Sequence, residues 1–209
     1  VDNIEFVSVD WHVLDDTKYL KSVHEKLIYV LLCKVAATPL SPRTPIVTQL
    51  AKEAFCSEND VKEALNGLAE LGLINVSKTI NSKGESSYRY ELLEVPDHFS
   101  EGYIKLADSL FTLYMRLPDF NADHVIMYAY LCDIYDDSLG YASPTQAQIC
   151  EDLGIGANMP GKLAKTLKKY GLIDYEQPRA GASYIYRIYP AIEEPAKFYE
   201  KYPEVPRHG

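Results

Sequence analysis

A chain that spells one segment twice must fold it twice, and this one repeats over most of its length. KLIYVLLCKV (26–35) lies over VIMYAYLCDI (125–134), with Tyr29 on Tyr128, Leu32 on Leu131 and Cys33 on Cys132. The register then runs without a gap through Pro45 on Pro144, Gln49 on Gln148 and Leu68 on Leu167. It ends with Gly72-Leu73-Ile74 on Gly171-Leu172-Ile173. A small slip upstream matches IEFVSV (4–9) to EGYIKL (101–106), and another downstream matches SYRYEL (87–92) to SYIYRI (183–188). Self-similarity on this scale means two copies of one domain. They are expected at 1–92 and 103–190, with a linker at 93–102 and a Pro-rich C-terminal arm at 191–209. The tail is expected to begin with a helical turn and, beyond Lys201, to run as an extended arm lying on a neighbouring domain or another subunit.

Each copy reads in the same order. A helix of apolar period near 3.6 comes first, marked by Leu27, Val30 and Leu31 or by Ile126, Ala129 and Tyr130. Ser22 and Asn121 are its N-caps, and Glu25 completes a capping box in the first copy. A Pro-marked turn leads to a short second helix (about 46–55 and 145–153), then a third (about 58–71 and 159–170) stopped by Gly72 or Gly171. INVSKT and IDYEQ, then SYRYELLE and SYIYRIYP, alternate as strands around polar turns. The fold class is therefore mainly α with small β wings (α+β): two tandem winged helix-turn-helix domains.

The phrase GYASPTQAQI before the second helix, and the pattern L-x-K-Y-G-L-I after the third, carry a resemblance. With the lead-ins IEFVSVDWHVLDD and EGYIKLADSLF, the chain resembles helix-turn-helix proteins of phages, plasmids and Gram-positive primosomes. These include plasmid replication initiators and the N-terminal domain of primosomal DnaD-type proteins. The resemblance covers nearly the whole chain. It implies DNA binding, as in some members, or protein docking, as in others.

One stretch competes with this reading. GIGANMPGK (154–162) contains G-x-x-x-x-G-K, most of a nucleotide-binding phosphate loop. Such a loop needs a strand before it and a hydroxyl after the lysine. Here AQICEDLG has helical spacing and Leu163 follows Lys162. Gly154 and Gly156 suit a turn between helices instead, with Asn158 as N-cap and Pro160 tolerated in the first turn.

Projected at about 100° per residue, Met159, Leu163, Leu167 and Tyr170 form the core side of the second copy's third helix. Lys162, Lys165, Thr166 and Lys169 fall opposite, with Lys168 at the margin. The repeat register places Glu63, Asn66, Gly67 and Glu70 on the corresponding positions of the first copy, and Glu58 and Asp60 add charge at its tip. One face is cationic and its twin anionic. Carboxylates would meet phosphate repulsion, so double-stranded DNA is expected on the second copy alone. Lys162, Lys165, Thr166, Lys168 and Lys169 are its candidate contacts, with Arg179 at the wing tip reaching a minor groove. Glu63, Asn66 and Glu70 become candidate protein-interaction residues, for a homodimer or a replication-protein partner.

Charge and chemistry narrow the rest. A net charge of -9 requires any DNA contact to be a local patch. Cys33, Cys56, Cys132 and Cys150 form no C-x-x-C pair and read as reduced core thiols, which points to the cytoplasm. His12, His24, His98, His124 and His208 show no metal-ligand spacing, so no metal or other cofactor is expected. No nucleophile stands beside a base, which predicts a non-enzymatic protein without a small-molecule substrate. No run of about 18 apolar residues suggests a membrane span. The 17 tyrosines are an excess, and Tyr88, Tyr90, Tyr184, Tyr186 and Tyr189 on the expected wings are read as packing against helices. Two functions remain: a DNA-binding replication initiator-like protein or regulator of a phage, plasmid or mobile element, and an adaptor or scaffold with no DNA affinity of its own.

Overall fold

Short polar side chains decide where the long helices begin. The computed structural model describes residues 6–10, 20, 22–36, 47–80, 82, 84, 86–93 and 103–207. It divides into two units, Val7–Tyr103 and Ile104–Gly209 with Val1–Phe6. The linker expected at 93–102, Leu93 apart, lies outside the described residues, as do His12, His98 and His208. The matching lead-ins form two short strands, β1 (Phe6–Asp10) and, later in the chain, Tyr103–Ala107.

In the Val7–Tyr103 unit, α1 (Val23–Ala36) opens on the expected box. The Ser22 N–H donates to Glu25 Oε2 and the Glu25 N–H to Ser22 Oγ, both at 3.0 Å. Helices α2 (Val47–Ala54) and α3 (Glu58–Glu70) follow. Leu27, Ile28 and Leu31 of α1 are buried, as are Leu50, Ala51 and Ala54 of α2 and Val61, Leu65 and Leu68 of α3. A Cβ at Gly67 would run into the Glu25 carboxylate, so the cap of α1 also sits on α3. Strands β2 (Ile74–Ile80) and β3 (Ser86–Leu92) pair antiparallel from Ile74 on Leu92 to Ile80 on Ser86.

The other unit repeats the order. After β4 (Tyr103–Ala107) and the short α4 (Ser109–Thr112) come α5 (Ala122–Asp133), α6 (Gln146–Leu153) and α7 (Met159–Lys169). Strands β5 (Ile173–Glu176) and β6 (Ile185–Ile188) form the second hairpin, shorter than the alternation of SYIYRIYP suggests. Ala142, ahead of α6, exchanges both backbone hydrogen bonds with Tyr186, at 2.9 and 2.8 Å. Gly72 and Gly171 end α3 and α7 at φ of +70° and +68°, the left-handed stop that glycine adopts without strain. The architecture is thus mixed helix and strand, with small two-stranded antiparallel sheets.

The tail begins with the helical turn expected there, and it departs from an extended arm only beyond Lys201. It forms α8 (Pro195–Lys201), and Ala191, Phe198, Tyr202 and Val205 are buried. Phe198 packs 5.1 Å from the Tyr114 ring and 5.0 Å from Tyr202, and the Tyr202 hydroxyl donates to the Tyr170 carbonyl at 2.8 Å. Beyond Lys201 the prolines suggested extension. There the buried Tyr202 and Val205, joined by a backbone turn, hold the chain on this unit instead.

Two local features yield predictions. Gly154 ends α6 at φ +67°, and the repeat register puts Phe55 at the same place after α2, where it too is left-handed, at φ 53°. For a bulky residue this conformation costs roughly 1–2 kcal/mol. Because Phe55 is 59% exposed, little burial offsets the strain. Phe55→Gly is expected to stabilise its unit by about 1 kcal/mol in chemical denaturation. A loss of stability would show that the ring has packing value after all.

His124 supplies the second. It is buried, and its Nδ1 accepts the Asn121 N–H at 3.0 Å, closing the box that starts α5. Burial lowers its pKa, outweighing the carboxylates of Asp123 and Asp119, which raise it. A depressed folded pKa means that the unfolded chain takes up the proton first. The contribution is complete above the ordinary histidine pKa and is lost as pH falls below it. Melting temperature should therefore fall between pH 7.5 and 5.5, and His124→Gln, which keeps an acceptor for the cap, should flatten that slope. An unchanged slope in the variant would assign it to other groups.

Candidate nucleic-acid interface

The side chains of α7 separate as its spacing requires. Pro160, Leu163, Ala164 and Leu167 are buried, and Tyr170 after its last turn is buried as well. Lys162, Lys165, Lys168 and Lys169 are exposed, while Thr166 and Met159 are half-buried. The four lysines do not form one free patch. Lys169 Nζ reaches Asp119 at 2.7 Å and the Tyr170 hydroxyl at 3.0 Å, and Tyr170 in turn donates to Asp119. Burial would raise the Asp119 carboxyl, but hydrogen bonds from Lys169 and Tyr170 hold it below the ordinary carboxylate range. Lys168 pairs with Asp174 and lies 5.1 Å over the Tyr175 ring. Both of these lysines therefore tie the end of α7 to their own unit.

Lys162 and Lys165 have no ion pair or side-chain hydrogen bond among the described residues. Arg179, exposed in the turn between β5 and β6, is equally without one. Exposed ion pairs of the Lys168 kind contribute only about 0–1 kcal/mol, so those lysines can exchange partners, whereas these three start unpaired.

The beginnings of the two third helices differ more than their side-chain charges do. At α3, Ser57 Oγ accepts the Asp60 N–H, and Asp60 Oδ2 accepts the Ser57 N–H at 2.9 Å. Glu58 and Asp60 stand at the positive end of the helix, where acids are favoured. At α7, Asn158 holds the N-cap position but has helical backbone angles and makes no side-chain cap bond, unlike the N-cap expected of it. Gly161 follows in the first turn. A Cβ there would meet nothing within 4 Å, so the unit's own packing does not require glycine. Glycine inside a helix costs roughly 0.8–1 kcal/mol relative to alanine. Lys162 then places a cation near the positive end. Three choices against helix stability fall within a few residues. The Met159 N–H donates to the Gly156 carbonyl at 2.9 Å and Pro160 has no N–H, so what those choices leave is the Gly161 amide without a capping side chain, a lysine and a surface without side-chain bulk.

No family model and no curated protein matches this chain.

On the α3 side, Glu63, Asn66 and Glu70 are exposed as projected, while Gly67 is half-buried beneath Glu25. The phosphate-loop alternative lacks its framework: α6, a helix, precedes Gly154, and another helix begins at Met159. Among the described residues, no helix is long and apolar enough to cross a membrane. The expected wing tyrosines divide. Tyr186 is buried, Tyr90 and Tyr184 are half-buried, and Tyr88 and Tyr189 are exposed.

One constellation escapes a search by spacing. His24 of α1, Cys56 in the turn after α2 and Asp60 of α3 bring a ring nitrogen, a thiol and a carboxylate oxygen within 4.8 Å of one another. Burial, then the Asp60 charge, pushes the Cys56 thiol up. Hydrogen bonds from Ser57 hold Asp60 down. Only the interval from Cys56 to Asp60, close to one helical turn, was visible beforehand. His24 joins them through the packing of α1 on α3.

Proposed function

We propose that the protein is a non-enzymatic tandem winged-helix DNA-binding protein that contacts double-stranded DNA through the start of α7 and the β5–β6 turn. The observation that carries this reading is the contrast between matching helix starts: α3 capped and anionic, α7 uncapped, glycine-bearing and cationic. A backbone amide left open at a helix N-terminus is an anion ligand, and the helix dipole adds to it. Lys162 and Lys165 supply phosphate contacts beside that amide, and Gly161 allows a phosphate close to the backbone. Arg179 extends the footprint at the turn tip. None of these offers a paired base-reading set on a helix face, so affinity without strong sequence preference fits best. The α3 unit, with Glu63, Asn66 and Glu70 outward, serves assembly with a second copy or a replication partner. Together with the resemblance of both copies to plasmid and phage initiators, this favours a replication initiator-like protein or regulator of a mobile element.

An adaptor without DNA affinity is the second reading. The net charge of -9 and the ion pairs that occupy Lys168 and Lys169 favour it. Binding to random duplex across a salt series separates the two. Three phosphate contacts give a log–log slope of about -2.7. An adaptor would flow through a duplex column at low salt, and that result would end the DNA reading.

A further inference from the structure

We infer that His24, Cys56 and Asp60 form a zinc-binding site in the Val7–Tyr103 unit, separate from the DNA contact assigned to the other unit. Imidazole, thiolate and carboxylate are the donor types that zinc accepts in tetrahedral sites, with bonds of about 2.0–2.3 Å. Those lengths put neighbouring donors about 3.3–3.8 Å apart. The three atoms already lie within 4.8 Å of one another, so small side-chain rotations close the site. Each donor comes from a different part of the fold, so an ion would clasp the start of α1, the turn after α2 and the first turn of α3.

The carboxylate is oriented for this task. Both the N–H and the hydroxyl of Ser57 donate to Asp60 Oδ2, at 2.9 and 2.7 Å. Oδ1 accepts no hydrogen bond among the described residues. Such bonds fix ligating carboxylates in metal sites. His24 is exposed and Cys56 half-buried, so an ion has an entry path. As the Zn–S bond forms, the Cys56 proton passes to solvent and the thiolate takes its place. Three protein ligands leave the fourth tetrahedral position to water, the arrangement of an open rather than a closed site. The repeat register places Asp123, Ile155 and Met159 on these three positions in the second copy, so the thiol and imidazole are lost there. The site belongs to one copy, as the basic helix start belongs to the other.

The test uses the full chain, freed of metal by chelation and titrated with Co²⁺ as a spectroscopic stand-in. One equivalent should produce a thiolate-to-cobalt charge-transfer band with the visible bands of four-coordination, and Zn²⁺ should bleach both. Saturating Zn²⁺ should raise the melting temperature by several degrees. Cys56→Ser should abolish the charge-transfer band. His24→Ala and Asp60→Asn should weaken binding at least about 10-fold. Cys150→Ser, in the other unit, should change nothing. Absence of the band in the native chain, or its survival in Cys56→Ser, overturns the site. Should Cys56→Ser fail to fold, Asp60→Asn decides, because asparagine keeps an acceptor for the Ser57 cap. Affinity equal to that of the native chain then overturns the site.

Discussion

Replacing Lys162 and Lys165 together by glutamate should reduce duplex affinity by roughly 30-fold or more at low salt and flatten the salt slope from about -2.7 to about -0.9. Two of the three unpaired cations disappear, and two carboxylates take their place on the first two turns of α7. The variant carries its own control for folding. Near the helix N-terminus an acid at position 162 is favoured over lysine by about 0.3–1 kcal/mol, while Lys165 lies in the second turn, where the effect has fallen off. Thermal stability should therefore hold or rise slightly while DNA binding fails. Arg179→Ala should lower the slope by about 0.9 and act alike on every sequence, the behaviour of a phosphate contact. Lys168→Glu should do less, since that side chain is already engaged by Asp174 and Tyr175. A double glutamate variant with native affinity and slope would remove α7 from DNA recognition.

The sequence made the helices and hairpins legible because their signals are local. Capping residues, periodic leucines and the glycines after α3 and α7 each act within a few positions. The Ser22–Glu25 box and the bounds of α3 and α7 follow from such chemistry. The outward position of Lys162, Lys165, Glu63 and Glu70 was also legible, because a helix projection needs no partner. What partners do to those groups was not. Lys169 appeared equivalent to Lys165 on the wheel, yet Asp119, far off in the chain, takes it as a neighbour. Asn158 has the right side chain for a cap and the wrong backbone angles. His24 meets Cys56 and Asp60 only because α1 lies on α3. Each of these depends on tertiary contact, on which local pattern is silent.

The tail is where that distinction has the largest energetic consequence, and Phe198→Ala measures it. A loose arm would tolerate the change within about 0.5 kcal/mol, as exposed positions do. Phe198 instead has no exposed surface and stands edge-on to Tyr114 and Tyr202. Emptying such a site leaves a cavity, and the expected loss is about 3–5 kcal/mol. In a unit of this size that lowers the melting temperature by more than about 10 °C. The effect should also reach α7. Tyr202 donates to the Tyr170 carbonyl and packs 5.4 Å from its ring, and Tyr170 joins Asp119 and Lys169 at the end of that helix. Losing Phe198 frees Tyr202, and with it the support that fixes the direction in which α7 presents Lys162 and Lys165. DNA affinity should then weaken even at temperatures where the unit stays folded, with the salt slope unchanged because no cation has been removed. A loss near 0.5 kcal/mol with native binding would return the tail to the status of an arm and leave α7 positioned by α5, α6 and its hairpin.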